Sequence, residues 1–259
     1  MLRWARLVGH GARAAWILRF VYPRSRPPER RRLARWWARG LLRILGVRVR
    51  VSGPLPPLRG EAAMIAANHV SWIDIFAVMS VRPARFIAKS EIRGWPAAGW
   101  IAELAGTLFV QRARRHDTAR INARVHEALA QGDCIGLFPE GTTTEGDALL
   151  RFHTSLFEPA VANAATIHPA AIRYEYADGT PCKAFAYVGE TTFLESVARV
   201  VASRGVIARI AFAEPIDPSA GIDRREAARL AHARIASLLR LPSPDNPPGR
   251  GHGPRDARR

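Results

Sequence analysis

From Val47 onward, short runs rich in β-branched and aromatic residues alternate with longer helical stretches, and this alternation constrains the chain more than any other feature. Candidate strands fall at residues 47–52, 63–67, 84–88, 107–110, 134–138, 166–172 and 206–212. Helical patterning falls between them, at 71–81, 96–105, 116–131, 154–164, 191–203 and 223–240. Strands that alternate with helices predict an α/β fold, a sheet covered by helices. The expectation is one α/β domain over residues 47–240 with a mixed β-sheet. At 259 residues and 48% hydrophobic, the chain is long enough to bury one such core. Residues 241–259 are rich in Pro, Gly and Arg and read as a disordered tail.

Residues 1–46 read differently, as two helices around a Pro-rich turn at 22–28. The chain carries a net charge of +17, and residues 1–50 hold fourteen Arg against one acid, Glu29. At 100° per residue, Arg32, Arg35, Arg39 and Arg43 fall within about 80° of arc, opposite Leu33, Trp37, Leu41 and Ile44. Trp4, Trp16, Trp36 and Trp37 also lie here, and Trp with Arg beside an apolar face suits the headgroup boundary of a bilayer. This predicts an amphipathic, basic, membrane-binding hairpin at an anionic membrane surface. The alternative is a hairpin packed on its own domain with a solvated Arg face. A nucleic-acid partner is not expected, because the charge sits on Trp-bearing helices while the rest of the chain is nearly neutral. Cys134 and Cys182 form neither a disulfide framework nor a zinc-ligand pattern, which fits a reducing, cytosolic setting. No uncharged apolar run approaches the length of a membrane span or a signal peptide.

Three segments carry candidate chemistry. Asn68-His69-Val70-Ser71-Trp72-Ile73-Asp74 follows a strand and opens a helix, and strand ends are where sites form in open α/β folds. Within one helix His69 and Asp74 would stand about 140° apart, so they can meet only with His69 in the loop and Asp74 in the first turn. Asp74 would then accept the imidazole Nδ1 hydrogen, leaving Nε2 to take a proton from an alcohol. The same residues also read as a capping box, Ser71 with Asp74, beside an incidental loop His. Phe138-Pro139-Glu140-Gly141-Thr142-Thr143-Thr144 ends a second strand, with three hydroxyls and backbone amides suited to a phosphate or polar headgroup, or simply a strand-to-helix turn. Phe109-Val110-Gln111-Arg112 ends a third strand with a guanidinium suited to phosphate, or with an ordinary surface charge.

Together these blocks resemble the glycerolipid acyltransferase family, typified by 1-acylglycerol-3-phosphate (lysophosphatidic acid) acyltransferases. N-H-x-x-x-x-D stands at Asn68, His69 and Asp74, an apolar pair leading to Arg at Phe109, Val110 and Arg112, and F-P-E-G-T at Phe138 to Thr142. A fourth apolar block around a Pro follows at Ile167-His168-Pro169-Ala170-Ala171-Ile172, and all four occur in family order. The resemblance implies His69 as general base, Asp74 as its orienting partner, and Arg112 with Glu140, Gly141 and Thr142 in acceptor binding. It also implies an N-terminal helix pair on the membrane. Gln111 departs from the family, where an acid is common, as do His153 and Ser155, where Lys and Gly are common. The expected reaction transfers an acyl group from acyl-CoA or acyl-carrier protein to a lysolipid hydroxyl, with no metal and no cofactor. Lysophosphatidic acid is the first-choice acceptor and lyso-ornithine lipid the alternative. The expected location is the cytoplasmic face of the cell membrane, as a peripheral or monotopic protein.

Overall fold

The computed structural model describes residues 2–57, 62–90, 107–110 and 115–241; the helix expected over 96–105, Arg112 and the tail from residue 242 lie outside them. The expected strands form as β1 (Arg48–Ser52), β2 (Ala63–Ala67), β3 (Arg85–Lys89), β4 (Leu108–Val110), β5 (Cys134–Leu137), β6 (Thr166–Glu175) and β7 (Ile207–Phe212). They make one seven-stranded sheet in the order β1-β7-β6-β2-β5-β3-β4. Only β6 and β7 pair antiparallel, so the sheet is mixed. The helices are α1 (Leu2–Trp16), α2 (Pro27–Leu45), α3 (Ile73–Val81), α4 (Arg115–Ala130), α5 (Glu158–Ala162), α6 (Phe193–Ala202) and α7 (Arg224–Leu239). The single helix expected over 154–164 is instead a 3₁₀ turn, Thr154–Phe157, followed by α5. Pro159 has no N–H to continue a ladder from the preceding turn and is tolerated only where a helix begins.

Strand β2 shows why the sheet lies at the centre. All five of its residues are buried, because side chains alternate between two covered faces. Ala63, Ile65 and Ala67 join Ala170, Ile172 and Ile210 beneath α2 and α3, while Met64 and Ala66 join Ile135, Leu137 and Ile167 beneath α4 and α7. Strand β6 is the longest, and its pairing with β2 stops at Ala67 opposite Ala170. Its last residues, Ala171 to Glu175, therefore overhang the end of β2 while still paired to β7.

The hairpin has the expected two helices, but the apolar face of α2 turns inward. Ala38, Leu41, Leu42 and Leu45 are buried in the same core as Ile73 and Ala77 of α3. Trp37 packs edge-on against Phe76, with ring centroids 5.3 Å apart. Burying each Leu side chain contributes roughly 1.5–3 kcal/mol, which ties α2 to the sheet domain. Part of the Arg stripe is likewise committed: Arg35 Nε and Arg39 Nε both donate to the Ser80 carbonyl, at 3.1 and 3.0 Å, at the C-terminus of α3. Helix α1 packs on α2 through His10, which donates to the Trp37 carbonyl at 2.9 Å and stacks on the Trp37 ring. Gly40 permits this approach, since a Cβ there would lie 2.5 Å from His10 Cε1. Helix α1 and the turn after it leave large apolar side chains outside, Leu2, Trp4, Val8, Trp16 and Phe20, alongside exposed Arg6, Arg13 and Arg19.

Candidate active site

The site lies at the C-terminal ends of β2 and β5, which run parallel in the middle of the sheet. Asn68, the first residue after β2, is fully buried and acts as a substitute for a strand residue. Its Nδ2 donates to the Ile172 carbonyl at 3.0 Å and its Oδ1 accepts from the Ile172 N–H at 2.7 Å. This pairing on the β6 overhang fixes where the chain leaves the sheet. His69 follows in the loop, and Asp74 lies in the first turn of α3, the arrangement their spacing requires.

The imidazole Nδ1 of His69 lies 2.8 Å from Asp74 Oδ2. A buried carboxylate accepts, so Nδ1 carries the hydrogen and Nε2 is the nitrogen left to take a proton. The His69 side chain is 19% exposed and that of Asp74 is 0% exposed, so the base meets solvent while its partner does not. Asp74 Oδ2 also accepts from the N–H groups of Val70 and Ser71, at 2.7 and 2.9 Å. Its Oδ1 accepts from the Tyr174 hydroxyl at 2.6 Å. The expected capping box forms only in half: Asp74 takes the Ser71 N–H, but Ser71 Oγ makes no hydrogen bond among the described residues. The turn is closed by backbone instead, with the Asp74 N–H donating to the Ser71 carbonyl at 3.0 Å.

Phe138 stacks on His69, with centroids 3.9 Å apart and planes 5° from parallel. The chain then turns sharply, with the Gly141 N–H donating to the Phe138 carbonyl at 3.0 Å. Gly141 adopts φ +75°, a conformation costly for a side chain with Cβ. Glu140 is buried at 4% exposure, and its two oxygens accept from the chain's own amides, Oε1 from His69 N and Oε2 from Leu150 N, both at 2.8 Å. Burial pushes its pKa up to about 7, with the two amides pulling the other way and the Asp74 charge adding to the rise. Among the three threonines, Thr143 Oγ1 donates to the Tyr187 carbonyl, while the Thr144 N–H donates to the His69 carbonyl at 2.8 Å. Thr142 alone of the three is exposed.

The structure thus gathers His69, Asp74, Glu140 and Gly141 into one place, with Thr142 at its rim; Arg112 lies outside the described residues. Glu140, read from the resemblance as an acceptor-binding group, spends its carboxylate bracing the His69 loop. The three-hydroxyl cradle reduces to Thr142, because the chain's own carbonyls draw off Thr143 and the loop closes over Thr144. Sequence reasoning missed Tyr174 and the bracing role of Asn68. A signal for Tyr174 existed: it stands two residues after Ile172, on the same side of an extended run, and a buried phenol needs a partner.

Residues 48–173 match the Acyltransferase family model. The chain is 39% identical over 245 residues to the lyso-ornithine lipid O-acyltransferase of Pseudomonas aeruginosa, covering 92% of this chain and 93% of that one. It is 37% identical over 200 residues to the 1-acyl-sn-glycerol-3-phosphate acyltransferase of Neisseria meningitidis, covering 76% and 77%. The crystal structure of PlsC, the 1-acyl-sn-glycerophosphate acyltransferase of Thermotoga maritima, superposes with a TM-score of 0.62 at 19% identity, over 92% of this chain and 96% of that one, a likeness of fold. The ordered blocks, the fold they build and relatives matched over most of their length all place this chain in the glycerolipid acyltransferase family, as an acyltransferase.

Proposed function

We propose that the chain transfers a fatty acyl group from a thioester, acyl-CoA or acyl-carrier protein, to the free hydroxyl of a lysolipid. The observation that carries this reading is the His69–Asp74 pair at 2.8 Å, with Asp74 buried and saturated by donors and Nε2 left for the substrate. Nε2 takes the hydroxyl proton as the oxygen attacks the thioester carbonyl; the tetrahedral intermediate expels the thiolate, which takes the proton back from the imidazolium. A thioester is already activated and an alcohol is a poor nucleophile, so one oriented base addresses the step that is missing. The reaction so written needs no metal and no bound cofactor.

For the acceptor, lyso-ornithine lipid is preferred. The relative of that name matches nearly the whole chain, and the loop Phe138 to Thr144 contains no Lys or Arg to meet a phosphate. Lysophosphatidic acid is the second reading, favoured by the Neisseria relative and by Arg112 if its guanidinium reaches a phosphate. The exposed apolar side of α1 would rest in the headgroup boundary of an anionic membrane, on its cytoplasmic face. Arg6, Arg13 and Arg43 line an open hollow between α1 and α2 beside it. No described helix is long and apolar enough to cross a membrane.

The test is thiol release from acyl-CoA and from acyl-carrier protein by purified protein, with each lysolipid supplied separately and with EDTA present. Turnover that requires a lysolipid and survives the chelator is expected, faster with lyso-ornithine lipid. Release without any lysolipid, or none with either, sinks the transferase reading; faster turnover with lysophosphatidic acid reverses the acceptor preference.

A further inference from the structure

Among the described residues, Asp74 receives three hydrogen bonds from residues near it in sequence and a fourth from across the sheet. That fourth donor, Tyr174, stands on the overhang of β6, two residues beyond the Ile172 that anchors Asn68. Its side chain is buried, its ring tilts against Phe185 with centroids 4.9 Å apart, and its hydroxyl donates to Asp74 Oδ1 at 2.6 Å. All three local donors sit on Oδ2, so Tyr174 is the described group that engages Oδ1.

We propose that Tyr174 is a positioning residue for the transfer reaction: its hydroxyl locks the Asp74 carboxylate with Oδ2 toward His69 and draws negative charge away from the imidazole, which favours the neutral, proton-accepting ring. The inference rests on the reading of His69 as general base. Two effects follow from removing the hydroxyl. A fully buried carboxylate oxygen loses its donor and the carboxylate is free to swing, which misaligns Nδ1. The undispersed charge on Asp74 also stabilises imidazolium, so the ring stays protonated, and inactive as a base, to higher pH. Burial and the adjacent Asp74 charge raise the Tyr174 phenol well above its ordinary pKa, which keeps the hydroxyl a donor across the working range. Another titratable side chain that faces the pair is Glu140, from the loop after β5, whose Oε1 is held by the His69 N–H and which senses the Asp74 charge.

Tyr174→Phe keeps the ring against Phe185 and removes only the hydroxyl. The expected result is a fall in kcat of about tenfold with KM unchanged, and an acid limb of the kcat profile moved up by about half a pH unit. The NMR titration of the His69 ring, recorded without substrate, should move in the same direction. A fluorinated tyrosine incorporated at position 174 is the stronger donor and should move both readings to lower pH; it also serves if the Phe variant does not fold. A His69 titration that stays in place in both proteins, or a kcat unchanged in Tyr174→Phe, overturns the proposal. If the wild-type protein turns over no lysolipid, the transferase reading fails, while the ring titration still decides whether Tyr174 acts on His69 through Asp74.

Discussion

His69 and Asp74 meet only because the chain leaves β2 as a loop and enters α3 within five residues, and the consequences of that turn are measurable one side chain at a time. On the proposed mechanism, His69→Ala removes the proton acceptor and should lower kcat by about 10²-fold or more without unfolding the protein, as read by thiol release and thermal denaturation. Asp74→Asn should also impair turnover, since an amide cannot accept every donor that now converges on the carboxylate. Two other buried groups titrate in opposite senses over nearly the same range. Glu140 has its pKa raised to about 7 in the folded chain, so its contribution is full below about 4.5 and is lost as pH rises through about 7. His168, buried on β6 with neither ring nitrogen hydrogen-bonded among the described residues and with Arg82 near it, has its pKa lowered to about 4. Its contribution is therefore full above about 6.5 and is lost as pH falls toward 4. Each effect is on the order of 3 kcal/mol, so in the wild-type protein the two largely offset. His168→Leu should leave a denaturation midpoint that falls between pH 5 and 7, and Glu140→Gln one that rises; parallel, flat profiles in both variants would show that neither group carries the linkage.

At the scale of elements, β6 and α2 decide more than their sequences announce. The expected end of β6 at residue 172 falls three residues short of Glu175, because β7 continues to pair with it after β2 has ended. Those extra residues hold Tyr174, and Ile172 just before them holds Asn68. Helix α2 was legible as amphipathic from its Arg stripe, but amphipathicity does not say whether lipid or protein meets the apolar face. Leu42 and Leu45 are 2% and 1% exposed, buried in the core with Val47 and Ile73. Leu42→Ala or Leu45→Ala should each cost about 2–5 kcal/mol of unfolding free energy in a denaturant titration. Cutting the chain before Val47 should accordingly abolish cooperative unfolding, whereas a truncated protein that still melts sharply would show that the hairpin is an independent appendage.

At the scale of the whole molecule, the proposed membrane contact falls to α1, because the buried side of α2 is turned into the core. Leu2 and Val8 are 66% and 71% exposed, and Trp16 and Phe20 lie exposed near them. Apolar side chains so exposed contribute nothing to the core, so Val8→Asp with Trp16→Asp should leave the melting temperature within a degree or two while lowering flotation with anionic vesicles severalfold. Wild-type flotation should weaken as salt rises, because the attraction of Arg to anionic lipid is screened over about 10 Å at 0.1 M ionic strength, and should persist in part through Trp16 and Phe20. If the double variant floats as well as the wild-type chain, α1 is not the docking face.

The sequence by itself determined most of the elements and, through the order of its motif blocks, which His and Asp to expect as partners. Hydrophobic periodicity is a local property, so the seven strands, most of the helices and the loop placement of His69 could be read from the order of residues alone. Which groups face one another across the sheet is a property of register and strand length, and these depend on partners distant in sequence. Tyr174 on Asp74, Asn68 on Ile172 and Glu140 on the His69 N–H join residues 71 to 104 positions apart. The same holds for the inward face of α2, whose apolar stripe is satisfied by whichever apolar surface the fold brings to it. Only the tertiary structure made that choice, because burial is decided by the competition among surfaces after the sheet has formed and not by the pattern along one helix.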